Sequence, residues 1–215
     1  MAFYDKSSDE TNFVASFTSD SKRDFGVFAK GYRRDADRLA ESLISAPRFT
    51  DYEAYPVVFL YRHALELSLK HIIYSAALIS AFQFSPSADG NLRNDHRLPP
   101  LASGAAQLLA LLFPNDASLR MLMREISAIC NDWNDLDPRS YAYRYPIDTQ
   151  GKPSTKRHQV VNLRSLAFRM SKVLESLETL HFGLDIETDK AQEIYETVQQ
   201  IITSASRRAN TGIEG

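Results

Sequence analysis

Residues 55–70 of this chain read YPVVFLYRHALELSLK, and the same pattern continues through HIIYSAALISAF to residue 82. At 3.6 residues per turn, its apolar side chains are spread around the whole circumference of a helix rather than along one stripe. Pro56 suits the first turn of such a helix, because the N–H group that proline lacks has no intrahelical partner there. A helix that is apolar on all sides has to be surrounded by other helices. We therefore expect an all-α protein, an up-and-down helical bundle around a long central helix from about Tyr55 to Phe82.

A short ladder of polar side chains interrupts this apolar helix. Arg62, Glu66 and Lys70 follow one another at steps of four residues and share one face, and His63 lies beside them. Two interpretations fit this ladder, which we expect to be the sole polar seam of the helix. It is a solvent-exposed strip, where each ion pair contributes only about 0.2–0.5 kcal/mol, or it is a polar site that faces a ligand or a partner.

The rest of the sequence predicts about six helices in total and a single domain. The apolar stripe of the first helix is formed by Phe25, Phe28, Tyr32, Ala36, Leu39 and Leu43. Residues 85–97 have turn chemistry and predict a surface loop. Gly183 is placed to end the fifth helix, and Thr188 or Asp189 to cap a sixth. We expect a flexible segment at 1–20, one bundle domain at 21–207 and a flexible tail at 208–215.

Residues 137–159 break the helical pattern and predict a hairpin-like excursion, because tyrosines at every second position from 141 to 145 are flanked by prolines and followed by Gly151. Its candidate binding residues are Arg144, Tyr145 and Asp148. In one interpretation, carboxylates at 132–137 pair with nearby arginines and latch the excursion onto the bundle. In the other, the tyrosine and guanidinium planes stack on a nucleotide or on single-stranded RNA.

Composition and motifs exclude several classes of function. The net charge is -2 and the pI about 6.2, so no global positive field indicates a nucleic-acid partner. The N-terminus lacks the pattern of a signal peptide, and no run of about 18 uncharged apolar residues occurs. We expect a cytoplasmic protein with no membrane partner. Cys130, the single cysteine, falls in an apolar helical pattern and is expected in the core.

Metal and cofactor sites have no basis in the sequence. None of the five histidines has metal-ligand spacing, and no P-loop, Gly-x-Gly-x-x-Gly turn or Gly-x-Ser-x-Gly elbow is present. We therefore expect no metal and no cofactor, and no catalytic residue can be assigned from a motif.

Three segments together resemble bacterial proteins of the HEPN superfamily: residues 55–70, the tetrapeptide DHRL at 95–98, and YRYPID at 143–148 followed by Gly151. This resemblance implies a helical bundle that forms a homodimer, in a superfamily that includes metal-independent endoribonucleases of toxin–antitoxin and phage-defence systems and inactive RNA-binding relatives. Its active members carry an arginine, four to six intervening residues and a histidine. No histidine here has an arginine at that distance.

The sequence thus favours a HEPN-like, non-catalytic module that binds RNA, a nucleotide or a partner protein in a bacterial stress or phage-defence context. Its candidate site residues are Arg62, His63, Glu66, Lys70, Arg144, Tyr145 and Asp148. One alternative is a divergent metal-independent endoribonuclease, in which His63 or His96 supplies acid–base catalysis and Arg62 or Arg144 supplies transition-state charge. Another is a protein–protein adaptor whose apolar surface patches bind a partner.

Overall fold

The computed structural model describes residues 24–84, 96–138, 140–155 and 159–211, with side chains described up to residue 82 in the first range and residue 203 in the last. Within these ranges it contains five α-helices and no β-strand, which confirms the all-α bundle; about six helices were expected. The helices are α1 (Phe25–Ser45), α2 (Asp51–Phe84), α3 (Leu98–Leu112), α4 (Ala117–Leu136) and α5 (Leu163–Thr211). The expected flexible segment at 1–20 and nearly all of the expected surface loop at 85–97 lie outside the described residues.

The central helix of the bundle is α2, which packs against α1, α3 and α5. Every residue from 64 to 76 is buried, so the helix is enclosed on all sides over more than three turns. This confirms the expectation drawn from its apolar circumference. The same property makes residues Asp51–Phe82 long and apolar enough to cross a membrane by composition alone. Because 72% of that apolar window is buried inside the structure, α2 has the pattern of a core helix.

Helix α2 begins one turn before the predicted position, and a capping box explains the difference. The Thr50 backbone N–H and hydroxyl both donate to Glu53 Oε2, at 2.6 and 2.7 Å. The glutamate three residues after Thr50 thus accepts from a backbone N–H group that the helix itself leaves free, which is the glutamate half of a capping box. Pro56 consequently lies inside the helix, where it removes one hydrogen bond without ending it.

Helix α5 runs without a break through Gly183, so the predicted end at Gly183 and the predicted cap at Thr188 or Asp189 are wrong. The Thr188 hydroxyl donates to the Leu184 carbonyl oxygen at 2.8 Å, as it does inside a helix rather than at its start. A mid-helix glycine costs about 1 kcal/mol, whereas burying a leucine such as Leu184 contributes about 1.5–3 kcal/mol. Because α2 still offers a packing surface beyond Gly183, burial outweighs the cost.

Helix α1 packs mainly through alanines and through part of its predicted stripe, of which Ala36 is buried and Tyr32 and Leu43 pack against the core. Ala29, Ala36 and Ala40 are its buried residues, while Phe28 and Leu39 are exposed. Small side chains let α1 approach α2 closely. The predicted stripe is therefore confirmed in part: Phe28 and Leu39 lie outside the packed face, and Ala29 and Ala40 belong to it instead.

Between α4 and α5 the chain forms the predicted excursion. Its tip is a turn held by an isolated antiparallel bridge between Ile147 and Pro153, with Gly151 in the left-handed region at φ 75°. Helix α4, which precedes it, is capped by the Asp116 carboxylate, which accepts from the Leu119 backbone N–H at 2.9 Å. The excursion thus leaves the end of α4 and returns to the start of α5.

Candidate functional site

The ladder of α2 lies inside the protein. Arg62 and Glu66 are each 1% exposed and Lys70 is 4% exposed, so its interpretation as a solvent-exposed strip is wrong. Burying an ion costs several kcal/mol, which only well-placed partners offset. These three residues therefore form a buried network whose partners decide what it does.

Glu66 is the centre of this network. Its Oε1 accepts from Lys70 Nζ at 2.9 Å and lies 2.8 Å from His96 Nδ1, and its Oε2 accepts from an Arg62 terminal nitrogen at 3.1 Å. Burial alone would raise the pKa of Glu66, but hydrogen bonds and charges from Lys70 and His96 outweigh it and lower the pKa below its ordinary value. The carboxylate is therefore ionised and can only accept, which places a proton on His96 Nδ1.

Arg62 connects three parts of the chain. Besides Glu66, it donates to the Asp137 carbonyl oxygen at 3.1 Å and to the His96 carbonyl oxygen at 2.7 Å. Its Nε also lies 3.4 Å from the Asp137 carboxylate, whose other oxygen accepts from the backbone N–H groups of Tyr141 and Ala142. Burial lowers the pKa of Arg62, against the opposing charges of Asp137 and Glu66. The latch predicted for the excursion is present, but its arginine comes from α2.

His96 is where the buried network reaches the surface. Its side chain is 53% exposed, although its Nδ1 atom is bound to a carboxylate that is 2% exposed. The Nε2 atom has no hydrogen-bond partner among the described residues. A ring fixed at one nitrogen and open at the other can donate to, or exchange a proton with, a bound ligand.

A second part of the candidate site surrounds Arg144. Its guanidinium carbon lies 5.4 Å from the ring centre of Phe59 and 5.5 Å from those of Tyr141 and Tyr145. Its Nε donates to the Ser140 carbonyl oxygen at 2.6 Å, and Ser140 itself has a positive φ of 63°. The terminal nitrogens of Arg144 make no hydrogen bond to a described residue. The cluster presents a cation framed by three aromatic rings, with Tyr145 half exposed.

His63 lies between the two parts. Its ring stacks on Phe59 at 5.4 Å between ring centres and meets the edge of Tyr32 at 4.6 Å. Burial lowers the pKa of His63. The charge of Glu66 opposes this shift, whereas the charges of Arg144 and Lys70 add to it. The charge of Arg144 also lowers the pKa of Arg62. The excursion lies against the face of α2 that carries the ladder, since Arg144 contacts Phe59 and Asp137 contacts Arg62.

Asp148 is placed differently from the other candidates. Its Oδ1 accepts from the backbone N–H groups of Gln150 and Lys152 at 2.8 and 2.9 Å, so it organises the tip of the excursion. This is the geometry of an aspartate that shapes a turn.

The ladder is not the sole polar seam of α2. His71 and His181 are both buried and lie 4.4 Å apart between ring centres, with His181 Nε2 3.1 Å from the Ser68 carbonyl oxygen. Their rings occupy a different side of α2, next to α1 and α5. This pair was missed because a histidine in an apolar helix is not separable by sequence from an ordinary core residue.

The sequence did not name Phe59 as part of the candidate site. It named His96 only for the endoribonuclease alternative, and Asp137 and Tyr141 only as part of the excursion and its latch. Phe59 precedes His63 by four residues, so its shared face was readable in the sequence. Nothing in the sequence showed that His96 and Asp137, far from α2 along the chain, would meet on Arg62.

Among the described residues, no group of three or more His, Cys, Asp or Glu side chains is arranged to hold a metal ion. Comparison with protein-family models, curated proteins and solved structures found no match for this chain.

Proposed function

We propose that this protein is a HEPN-like module that binds single-stranded RNA, and that its binding face comprises Arg144, its three aromatic neighbours and the outward edge of His96. The observation that carries the proposal is the position of the Arg144 guanidinium among the rings of Phe59, Tyr141 and Tyr145. Its terminal nitrogens can pair with a phosphate while a ring stacks on a base. A bacterial stress or phage-defence role is proposed with it, from the resemblance in sequence.

In this proposal Arg62, Glu66 and Lys70 do not touch RNA. They are buried and their polar atoms are paired with each other, with His96 and with Asp137. They hold His96 and the start of the excursion in place. The net charge of -2 does not oppose this role, because binding needs only a local cationic face.

The test is the affinity of the full chain for a fluorescently labelled single-stranded oligoribonucleotide, measured by anisotropy at several salt concentrations. Stacking is worth about 1–3 kcal/mol per base, so Arg144→Ala should weaken binding roughly 5- to 150-fold. For this variant, the slope of log affinity against log salt concentration should be less steep by about 0.7 for each phosphate that it no longer binds. The matched control is Arg38→Ala, which removes an exposed arginine of α1 whose partner is Asp35.

Equal affinities of the Arg144→Ala and Arg38→Ala variants would place the RNA site elsewhere. If the wild-type chain binds no RNA at low salt and instead retains a protein partner in a salt-insensitive way, the adaptor alternative replaces this proposal, since an apolar interface does not depend on phosphate contacts.

A second candidate function, a metal-independent endoribonuclease, is favoured by one observation: the His96 ring is held at Nδ1 by an ionised carboxylate and is open at Nε2. That is how a general acid–base histidine is oriented. Arg62 is buried and fully paired, so transition-state charge would have to come from Arg144. RNA cleavage in EDTA should then be lost in His96→Ala and retained in His63→Ala. Intact RNA after incubation with the folded wild-type chain would rule this candidate out.

A further inference from the structure

The outward face of α4 has an uneven distribution of charge. Facing away from the core are Arg120, Met121, Arg124, Ala128, Asp132 and Asp135, all of them exposed. The two arginines occupy the N-terminal half and the two aspartates the C-terminal half, with Ala128 between them. Met121 is 70% exposed. Two of its charged groups have partners within the chain: Arg120 donates to the Pro114 carbonyl oxygen at 2.6 Å, and Asp132 pairs with Arg169 at 2.7 Å.

Grooves flank α4 on both sides. On the α3 side, an apolar cavity of about 520 Å³ is lined by residues such as Leu109, Phe113 and Met123. On the α5 side, a cavity of about 320 Å³ is lined by Trp133 and Leu166 among others. The helix is therefore accessible over its whole outward half, and another helix can lie against it at the 8–10 Å separation of packed helices.

We propose that two copies of this chain pair through α4, with the two helices antiparallel and the two-fold axis at Ala128. A two-fold interface is self-complementary, so residues equally far before and after Ala128 face each other. Arg124, four residues before it, meets Asp132 of the partner subunit, four residues after it, and the same pair repeats at the other end. Ala128 at the crossing point permits close approach. Parallel pairing would instead place arginine against arginine.

The remaining charges of this face agree with the same register. Arg120 comes within reach of Asp135 of the partner subunit, and Glu125, at the edge of the face, lies opposite Asn131 of the partner subunit. Asp132 already pairs with Arg169 of its own chain at 2.7 Å, but both side chains are more than half exposed. Such a pair contributes only about 0–1 kcal/mol, so Asp132 can share its carboxylate with the partner's arginine.

Sedimentation velocity on the full chain tests this pairing independently of RNA binding. The wild-type chain should sediment as a dimer, and Arg124→Glu and Asp132→Arg should each raise the dimer dissociation constant at least tenfold, because like charges then face each other twice. An equimolar mixture of the two single variants should form a heterodimer, since both facing pairs are complementary again. This restoration cannot come from misfolded chains.

The matched control is Lys190→Glu, a charge reversal in an exposed pair of α5 with Glu187, which should sediment as the wild type does. A monomeric wild-type chain at millimolar concentration would overturn the proposal. So would single variants that dimerise as tightly as the wild type, or a mixture that stays monomeric.

Discussion

Replacing Glu66 by leucine would leave two buried cations without the carboxylate they share. Glu66 accepts from both Arg62 and Lys70, and for Lys70 it is the sole hydrogen-bond acceptor among the described residues. Removing one member of a buried ion pair costs about 3–5 kcal/mol, because the other charge stays desolvated and unpaired. We expect Glu66→Leu to lower the free energy of unfolding by at least that amount. This is a large part of the roughly 5–15 kcal/mol that stabilises a typical domain.

The effect of Lys70→Met on the free energy of unfolding should change sign when Glu66 is replaced. In the wild-type chain, Lys70→Met should lower the free energy of unfolding by about 1.5–3 kcal/mol, the contribution of a hydrogen bond to a charged group. In the Glu66→Leu background the same substitution should raise it, because it removes an ammonium group that has no carboxylate left. The double variant should thus be more stable than Glu66→Leu alone.

Urea unfolding followed by circular dichroism at 222 nm gives the four free energies of this double-mutant cycle. The control cycle is Glu187→Leu with Lys190→Met, an exposed pair in which each change should stay within about 0.5 kcal/mol. The reasoning is refuted if Lys70→Met lowers stability by the same amount in both backgrounds, since Glu66 and Lys70 would then be energetically independent.

Three further predictions concern other parts of the core. A Cβ atom at Gly26 would come within 3.1 Å of His71 Nδ1, whereas one at Gly31 would meet nothing within 4 Å. Gly26→Ala should therefore destabilise the protein by about 1 kcal/mol through overpacking. Gly31→Ala should stabilise it by about 0.5–1 kcal/mol through helix propensity, and thermal unfolding measures both changes. Burial, with the neighbouring charge of His71, lowers the pKa of His181 to about 3. As the pH falls below about 6.5, His181 therefore becomes protonated in the unfolded chain but stays neutral in the folded chain. Stability should be complete above pH 6.5, fall by about 2 kcal/mol between pH 7 and pH 5, and fall less in His181→Gln, as urea titrations at both pH values can show. Burial raises the pKa of the Cys130 thiol to about 12, so Ellman's reagent should react with it only after unfolding, and rapid reaction in the native protein would contradict its burial.

The sequence predicted the helices where one pattern dominated and failed where two effects competed. The circumference of α2 left a single solution, because a rod that is apolar on all sides can only be enclosed. Gly183 and Thr188 are residue types that favour helix ends, but burying α5 against α2 contributes more free energy than either local preference. That surface exists only in the folded bundle, so no local pattern could reveal that α5 continues.

For the candidate site, the sequence predicted which residues share a face of α2 but not whether that face is exposed to solvent. The i,i+4 spacing of Arg62, Glu66 and Lys70 is the same in an exposed strip and in a buried network. The difference lies in His96 and Asp137, which reach Arg62 from segments 34 and 75 residues away along the chain. Contacts of that separation depend on the whole fold, and a single sequence does not show them.

The cost of this buried network itself bears on function. Apolar residues of similar volume at these three positions would keep the core and in many proteins increase stability, so packing alone does not account for two cations and a carboxylate there. What they provide is position: one guanidinium binds the carbonyl oxygens of His96 and Asp137, which fixes the two segments that carry the surface groups. A lysine at position 62 has a single ammonium and lacks the planar fork needed to reach Glu66, His96 and Asp137 together. The shape of the exposed site is therefore set from the interior, by a residue that does not reach the solvent.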